Sequence, residues 1–390
     1  MKALLINSLT SGGAERIILN IYRKFRDQGK DVVLICLSNN NVYQIFENDK
    51  IINLSEANIN KKGISLLKVF LFPIVIYKLY RVIKKYGIDT IQSHLFLASA
   101  INVITKRVFF LKYKTQIVSH SYMSYEKEFR INGLIKLKIL KAVYNSADLL
   151  VSISEKMRMD INSNIMNKSN IPHLVIMNPH NIDEIVHNSQ LDCPFRFNRQ
   201  KKYLITCGRL IKLKRIDVLL HALKELNLQD NRYELIILGE GEERSAYEKI
   251  INELELKDSV HFPGHVANPF NYIANSDYFL LTSESEGLPN VIIESMLCKT
   301  LVISSDCPTG PRELLAPDSN LNLRLKEGIE NARYGILTPI AKPKGIVDAI
   351  NFSNMNANEM ALKTEQAFLY AHKFSNELKI IEYEEILFRN

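Results

Sequence analysis

No uninterrupted apolar run in this sequence reaches the roughly 20 residues that a membrane-spanning helix needs. Residues 64–80 come closest, and Lys68, Pro73 and Lys78 break them. Tryptophan is absent, which selects no function. The five cysteines, Cys36, Cys193, Cys207, Cys298 and Cys307, are scattered, odd in number and without metal-ligand spacing. They point to a cytosolic, reducing location and to apolar packing, with no metal expected. No short-period repeat recurs, so any likeness between the halves is one of architecture.

What is present fits two domains of about 150 to 200 residues each. At 46% hydrophobic and 24% charged, the chain is globular rather than disordered. Its net charge of +8 suits an anionic partner: nucleic acid, membrane or a phosphorylated metabolite. Composition does not choose among them. The opening stretch, MKALLINSLTSGGAE, is a poor export signal and a better first strand over residues 2–7, followed by a glycine loop and a helix from about Ala14. Ile17, Ile18, Ile21 and Phe25 keep helical spacing, Gly29 ends the helix, and residues 31–37 form the next strand. Ser11-Gly12-Gly13 lacks the three-glycine dinucleotide fingerprint; it suits either a ligand approaching the backbone or a tight turn.

Residues 61–85 hold seven basic side chains and no acidic one, and residues 106–141 hold nine against Glu126 and Glu128. One helix, or two broken near Pro73, would bury the aliphatic stripe and leave the cations outside, facing either an anionic membrane or plain solvent. No nucleic-acid motif accompanies them. Strands ending near residues 92 and 119 deliver His94 and His120 to loops, where each can hydrogen-bond a sugar, move a proton or be incidental. Further strands are expected near residues 148–153 and 174–176, before Asn178-Pro179. Residues 181–200 look like an interdomain connection.

A second strand series follows, over residues 203–207, 234–238, 260–262, 278–281 and 301–304, with a last short strand near 334–337. Gly208-Arg209-Leu210 leaves the first of these, and Lys214-Arg215 precedes a helix. Arg209 and Lys214 suit phosphate oxygens or a solvated surface. Gly239-Glu240-Gly241 forms another strand exit. After residues 278–281 comes a turn bracketed by Glu286 and Glu294, with Pro289 at the first helical turn and N–H groups of Gly287, Leu288 and Asn290 able to face an anion. The two acids accept ligand hydroxyls or are ordinary solvated groups. The stretch DCPTGPR from Asp306 follows the next strand, and residues 355–390 are mostly helical.

Taken together, residues 283–294, Gly208-Arg209-Leu210 with Lys214, Gly12-Gly13-Ala14-Glu15, Asn178-Pro179 and DCPTGPREL resemble the family 4 glycosyltransferases. The resemblance implies an α/β fold of the GT-B type, two Rossmann-like domains about a cleft: an acceptor-side domain over residues 1–185, a nucleotide-sugar domain over 186–365, and a C-terminal helix over 366–390 packing back on the first. It implies a retaining enzyme with a UDP-sugar donor and no cofactor. Arg209 and Lys214 match the pair that holds the donor diphosphate, Glu294 the acid on the ribose hydroxyls, and Glu286 the acid beside the transferred sugar. Gly12 and Gly13, Gly239, and the backbone of Gly287, Leu288, Pro289 and Asn290 match donor contacts, His120 the histidine near the sugar's outer hydroxyls, and His94 an acceptor-side position. Lys299 stands where relatives commonly have Gly, and Leu301 replaces a frequent Pro. Implied partners are a nucleotide sugar, an oligosaccharide or polyprenyl-diphosphate-linked glycan acceptor and an anionic inner-membrane surface, with no nucleic acid; the location is the cytoplasmic face of the membrane. A nucleotide-sugar epimerase or a noncatalytic nucleotide- or glycan-binding protein is the alternative.

Overall fold

A computed structural model of the protein describes residues 1–10, 12–40, 42–43, 45–46, 48–56, 66–122, 133–166 and 170–389, with backbone alone at 66–71 and 133–136. Ser11, residues 61–65 of the first basic stretch, and Glu126 and Glu128 of the second lie outside the described residues. The chain forms two compact units, residues 1–180 with 376–390, and residues 181–375.

The first unit is built on a seven-stranded sheet of β1 (Lys2–Ile6), β2 (Val32–Cys36), β3 (Ile51–Asn53), β4 (Thr90–His94), β5 (Lys114–Ser119), β6 (Leu149–Ser152) and β7 (His173–Val175), in the order β3-β2-β1-β4-β5-β6-β7. Every pairing is parallel. Strands covered by helices on both faces read as continuous apolar runs, as β1 and β2 do, with Leu4, Leu5, Ile6, Leu34 and Ile35 fully buried. β4 and β5 depart from this: Gln92, Ser93, His94 and Gln116 are buried polar groups in mid-sheet.

The helix Gly13–Asp27 follows β1 and ends where Gly29 takes a φ of +73°. Residues Leu66–Tyr86 form one helix that runs through Pro73. Its Val75, Ile76, Leu79 and Ile83 join the core, while Lys78, Arg81, Lys84 and Lys85 stay exposed. The helix Asn376–Phe388 closes this unit, with Phe388 edge-on to Phe25 at 5.2 Å and Lys30 paired with Glu384.

The second unit carries β8 (Lys202–Cys207), β9 (Tyr233–Leu238), β10 (Val260–Gly264), β11 (Tyr278–Leu281), β12 (Leu301–Ser305), β13 (Glu330–Ala332) and β14 (Gly335–Thr338), ordered β10-β9-β8-β11-β12-β14-β13. All pairs are parallel except β13 with β14. The expected connection over 181–200 is partly structured: Ile182–Ser189 is a helix with Ile182 and Ile185 buried, and the Asn271 side chain donates to the Asp192 carbonyl at 2.8 Å. Both units are thus Rossmann-like. In each, strand order reverses beside the first strand of the series, between β1 and β4 and between β8 and β11. Crevices at the carboxyl ends of such strand pairs are where open α/β sheets bind ligands.

Candidate active site

In the second unit the β8 and β11 exits are tied together. The Glu284 N–H donates to the Leu213 carbonyl at 2.9 Å, and the Thr282 hydroxyl to the Lys214 carbonyl at 2.8 Å. Lys214, at the end of a short 3-10 turn, folds its side chain back over Gly208, where a Cβ would lie 3.6 Å from its Cε. Its ammonium donates to Glu286 Oε1 at 2.6 Å, with side-chain exposures of 21% and 13%. An ammonium has three N–H donors, so two remain for a further anion. The next residue, Arg215, has a left-handed φ of 48° and is held by Asp217 and Glu284. Hydrogen bonds to Asp217, with those to Glu284, raise its pKa against the cost of burial. Arg215 is therefore committed to fastening the two loops, whereas Arg209 is exposed and forms no ion pair among the described residues.

Gly239 has a φ of +124°, and a Cβ there would come within 2.0 Å of the Gly208 carbonyl oxygen. Its contact is with the β8 exit loop, and the missing side chain lets the two strand exits pass this closely. Gly310 plays a similar part on the other side. Its φ is +89°, and a Cβ would meet Pro289 Cδ at 2.3 Å and the Gly287 carbonyl at 3.0 Å. Thr309 donates to the Glu286 carbonyl, and Ser305 to the Ser283 carbonyl at 2.6 Å.

The DCPTGPREL stretch is anchored in turn by Arg312, which donates to fully buried Asp306 at 3.0 and 2.7 Å and to Glu330 at 3.1 and 2.8 Å. Burial works against the Arg312 charge; the Asp306 and Glu330 bonds outweigh it and raise its pKa. Beneath the loop the Cys307 thiol is pushed up by burial and by the Glu286 charge.

The helix after this turn is Asn290–Leu297, so Pro289 sits one residue ahead of it as the cap, with φ −75°, rather than inside the first turn. The shift loses no hydrogen bond, since proline has no N–H to offer. Glu294 is buried at 3% exposure one turn further in. Past the helix end Lys299 has a φ of 56°, the left-handed position where glycine is usual, and it pairs with Glu365.

The remaining predicted residues lie in the first unit, at its own strand ends. Gly12 caps the helix Gly13–Asp27, and Glu15 folds over it, close enough that a Cβ on Gly12 would meet the carboxylate at 2.1 Å. His94 and His120 touch, Nδ1 to Nε2 at 2.9 Å. His94 Nε2 meets Gln92 Oε1 at 3.2 Å, and the Gln92 amide donates to Gln116 Oε1 at 2.9 Å. Burial, then the neighbouring ring, lowers the His94 pKa well below its usual value; burial lowers that of His120 to about 4.

Sequence reasoning missed Asp217, Glu284, Gln92 and Gln116. Only the last two left a signal, as amides in strands that should be apolar. Among the described residues no helix is long and apolar enough to cross a membrane, and no group of three or more His, Cys, Asp or Glu is placed to hold a metal.

Residues 11–172 match the family model described as Glycosyltransferase Family 4, and residues 191–350 the model described as Glycosyl transferases group 1. An uncharacterized glycosyltransferase of Methanocaldococcus jannaschii is 30% identical over 270 residues, 67% of this chain and 66% of that protein. The N-acetylgalactosamine-N,N'-diacetylbacillosaminyl-diphospho-undecaprenol 4-alpha-N-acetylgalactosaminyltransferase of Campylobacter jejuni is 28% identical over 353 residues, 87% of this chain and 90% of its own. Among solved structures, Anabaena HepE in complex with UDP-glucose superposes with a TM-score of 0.78 over 99% of both chains at 18% identity, a likeness of fold. One family model falls within each unit, and the chain belongs to the family 4 glycosyltransferases of the GT-B superfamily.

Proposed function

We propose that this glycosyltransferase is a retaining enzyme that moves a hexose or N-acetylhexosamine from a UDP-sugar to a polyprenyl-diphosphate-linked glycan in polysaccharide or glycoconjugate assembly. The observation that carries the proposal is the Lys214–Glu286 contact at the β8 and β11 exits. Transfer releases a nucleoside diphosphate whose charge grows as the glycosidic bond breaks. Fixed cations and backbone donors aimed at that charge stabilise the transition state. Lys214 bridges the leaving diphosphate and Glu286, Arg209 adds a forked contact, and the N–H groups from Gly287 to Asn290 complete the anion site. Glu286 offsets positive charge near the anomeric carbon, and Glu294 accepts from the ribose hydroxyls.

In the first unit His120 meets a sugar hydroxyl, and Gly12 and Gly13 approach the ligand with their backbone. The HepE complex with UDP-glucose supports the choice of donor, and the undecaprenol-linked substrate in the Campylobacter enzyme's name supports the acceptor class.

A matrix of donors and acceptors, read by product mass and anomeric configuration, tests this. Acceptor-dependent release of UDP with retained configuration is expected, and Arg209→Ala and Glu286→Ala should each lower turnover by about a hundredfold or more with the fold intact. Donor conversion without acceptor would point instead to an epimerase, and binding without turnover to a noncatalytic protein.

Attachment to an anionic membrane from the cytoplasmic side is part of the same proposal. The exposed Lys78, Arg81, Lys84 and Lys85 share a helix whose Tyr80 stacks on Phe109 at 4.2 Å, and the adjoining Phe110 is 91% exposed. An apolar ring among lysines suits an anionic lipid interface. Reversing these four charges should weaken binding to anionic vesicles far more than binding of free donor; equal losses would sink the assignment.

A further inference from the structure

The contact between His94 and His120 is the end of a longer chain of hydrogen bonds with one possible direction. Its far end is the carbonyl of Ile386 in the helix Asn376–Phe388, which receives the Gln116 side chain at 2.5 Å. That carbonyl lies in the last turn, where helix carbonyls have no partner within the helix, and a carbonyl can only accept. Gln116 must therefore present its NH2 group to Ile386 and its oxygen to Gln92, 2.9 Å away. Gln92 must in turn donate to Gln116, which leaves its own oxygen facing His94 Nε2 at 3.2 Å. Reversing any amide would set two carbonyl oxygens or two NH2 groups against each other.

His94 Nε2 consequently carries the proton. His94, fully buried, is neutral with its charged form disfavoured, so its Nδ1 is bare. A bare nitrogen 2.9 Å from His120 Nε2 requires the proton on His120 Nε2.

We propose that Gln116, Gln92 and His94 are positioning residues that lock His120 as its Nε2–H tautomer and so present its Nδ1 lone pair to a sugar hydroxyl as acceptor only. This rests on the proposed role of His120 beside the sugar and adds to it the direction of the bond. Among the described residues His120 has no hydrogen-bond partner besides His94. The hydroxyl belongs to the transferred sugar or to the acceptor glycan. Either must donate, so a group that can only accept, such as fluorine or a carboxylate, is refused at that position.

The test uses the full chain with 15N-labelled histidine. Long-range 1H–15N spectra at neutral pH, assigned with His120→Gln and His94→Asn, should show both rings neutral and protonated at Nε2. A protonated Nδ1 on His120 would overturn the proposal from the wild-type spectrum alone, whether or not any variant folds. His94→Asn, whose side-chain oxygen replaces Nδ1 as acceptor, should keep the His120 tautomer; His94→Leu should scramble it and lower kcat/KM roughly three- to tenfold, the worth of one hydrogen bond.

Deoxyfluoro donors and deoxyfluoro acceptors, tried position by position, locate the hydroxyl. The His94→Leu penalty should vanish with the one analogue that lacks it, and the series in which it vanishes names the source. A penalty that persists for every analogue, with the tautomer intact in the wild type, would overturn the sugar-facing role of His120 while the locked tautomer stands.

Discussion

At the end of β4 the chain sets His94 against His120 and Gln92, a line of neutral rings and amides. At the ends of β8 and β11 it sets Lys214 on Glu286 and Arg215 between Asp217 and Glu284. The two sheets have the same reversal of strand order, yet one switch point is wired through neutral dipoles and the other through full charges. Neutral groups lose less on leaving water, and linked end to end they fix which atom donates. Ion pairs cost more to desolvate, and they hold cations where another anion can be shared. The fold supplies the place, and the loops supply the chemistry.

Removing a charge from the second unit should give the largest effects. Arg312→Leu strands the buried Asp306 carboxylate, and breaking such a pair typically costs about 3–5 kcal/mol. Hydrogen exchange should place that loss in residues 181–375 and spare the first unit. A loss below about 1 kcal/mol would mean that the Asp306–Arg312–Glu330 anchor does not hold the DCPTGPREL stretch.

Lys214→Met should act on rate rather than on stability, lowering kcat/KM about a hundredfold, or ~3 kcal/mol, with little change in Tm. A Tm drop that matched the lost activity would make Lys214 a structural cation.

The histidines of the first unit should reveal themselves in acid. Burial lowers His120 to about 4 in the folded chain against 6.5 for a free histidine, and it lowers His173, half-buried beside Ser152 and Asn162, to about 4 as well; His94 is lowered too. Between those values the unfolded chain binds more protons than the folded one, so stability rises with pH there. It is fully present above about 6.5 and is lost as pH falls toward 4, by at most about 1.4 kcal/mol per pH unit for each histidine. Replacing His120 with Gln should make the slope of unfolding free energy against pH shallower by up to one proton. An unchanged slope would show that this ring is solvated.

The smallest effect is expected at Lys299. Lys299→Gly relieves a left-handed φ but loses an exposed ion pair with Glu365, and the two terms, each about 1 kcal/mol or less, should nearly cancel. A destabilisation above about 2 kcal/mol would show that the pair matters more than its exposure suggests.

Most strands were legible because parallel strands buried on both faces must be runs of Leu, Ile and Val, and glycines at their exits mark the turns. The exceptions have reasons. β3 and β13 are three-residue edge strands, Ile-Ile-Asn and Glu-Asn-Ala, too short for a period. The helix Ile182–Ser189 sits in a stretch whose polar composition masks Ile182 and Ile185. At the candidate site, Lys214 and Glu286 could be placed on strand-exit loops from local pattern, but their contact spans 72 positions in the chain. Glu284 and Asp217 were invisible for the same cause: a surface acid and a structural tie have the same sequence signature until the partner is known. The amides at positions 92 and 116 broke the apolar rule of their strands, a sign that was present and went unused.

The helix Asn376–Phe388 belongs to the first unit although residues 181–375 are made before it. A ribosome delivers the chain from its N-terminus at about 5–20 residues per second, and domains generally fold as units. The sheet from β1 to β7 must therefore wait, with Phe25 uncovered and Gln116 lacking its terminal acceptor, while the second unit has every residue it needs to form. Until that late segment docks, Gln116 lacks the carbonyl that sets the direction of the amides behind His94, so the proton arrangement of the two histidines depends on the last residues of the chain to be made.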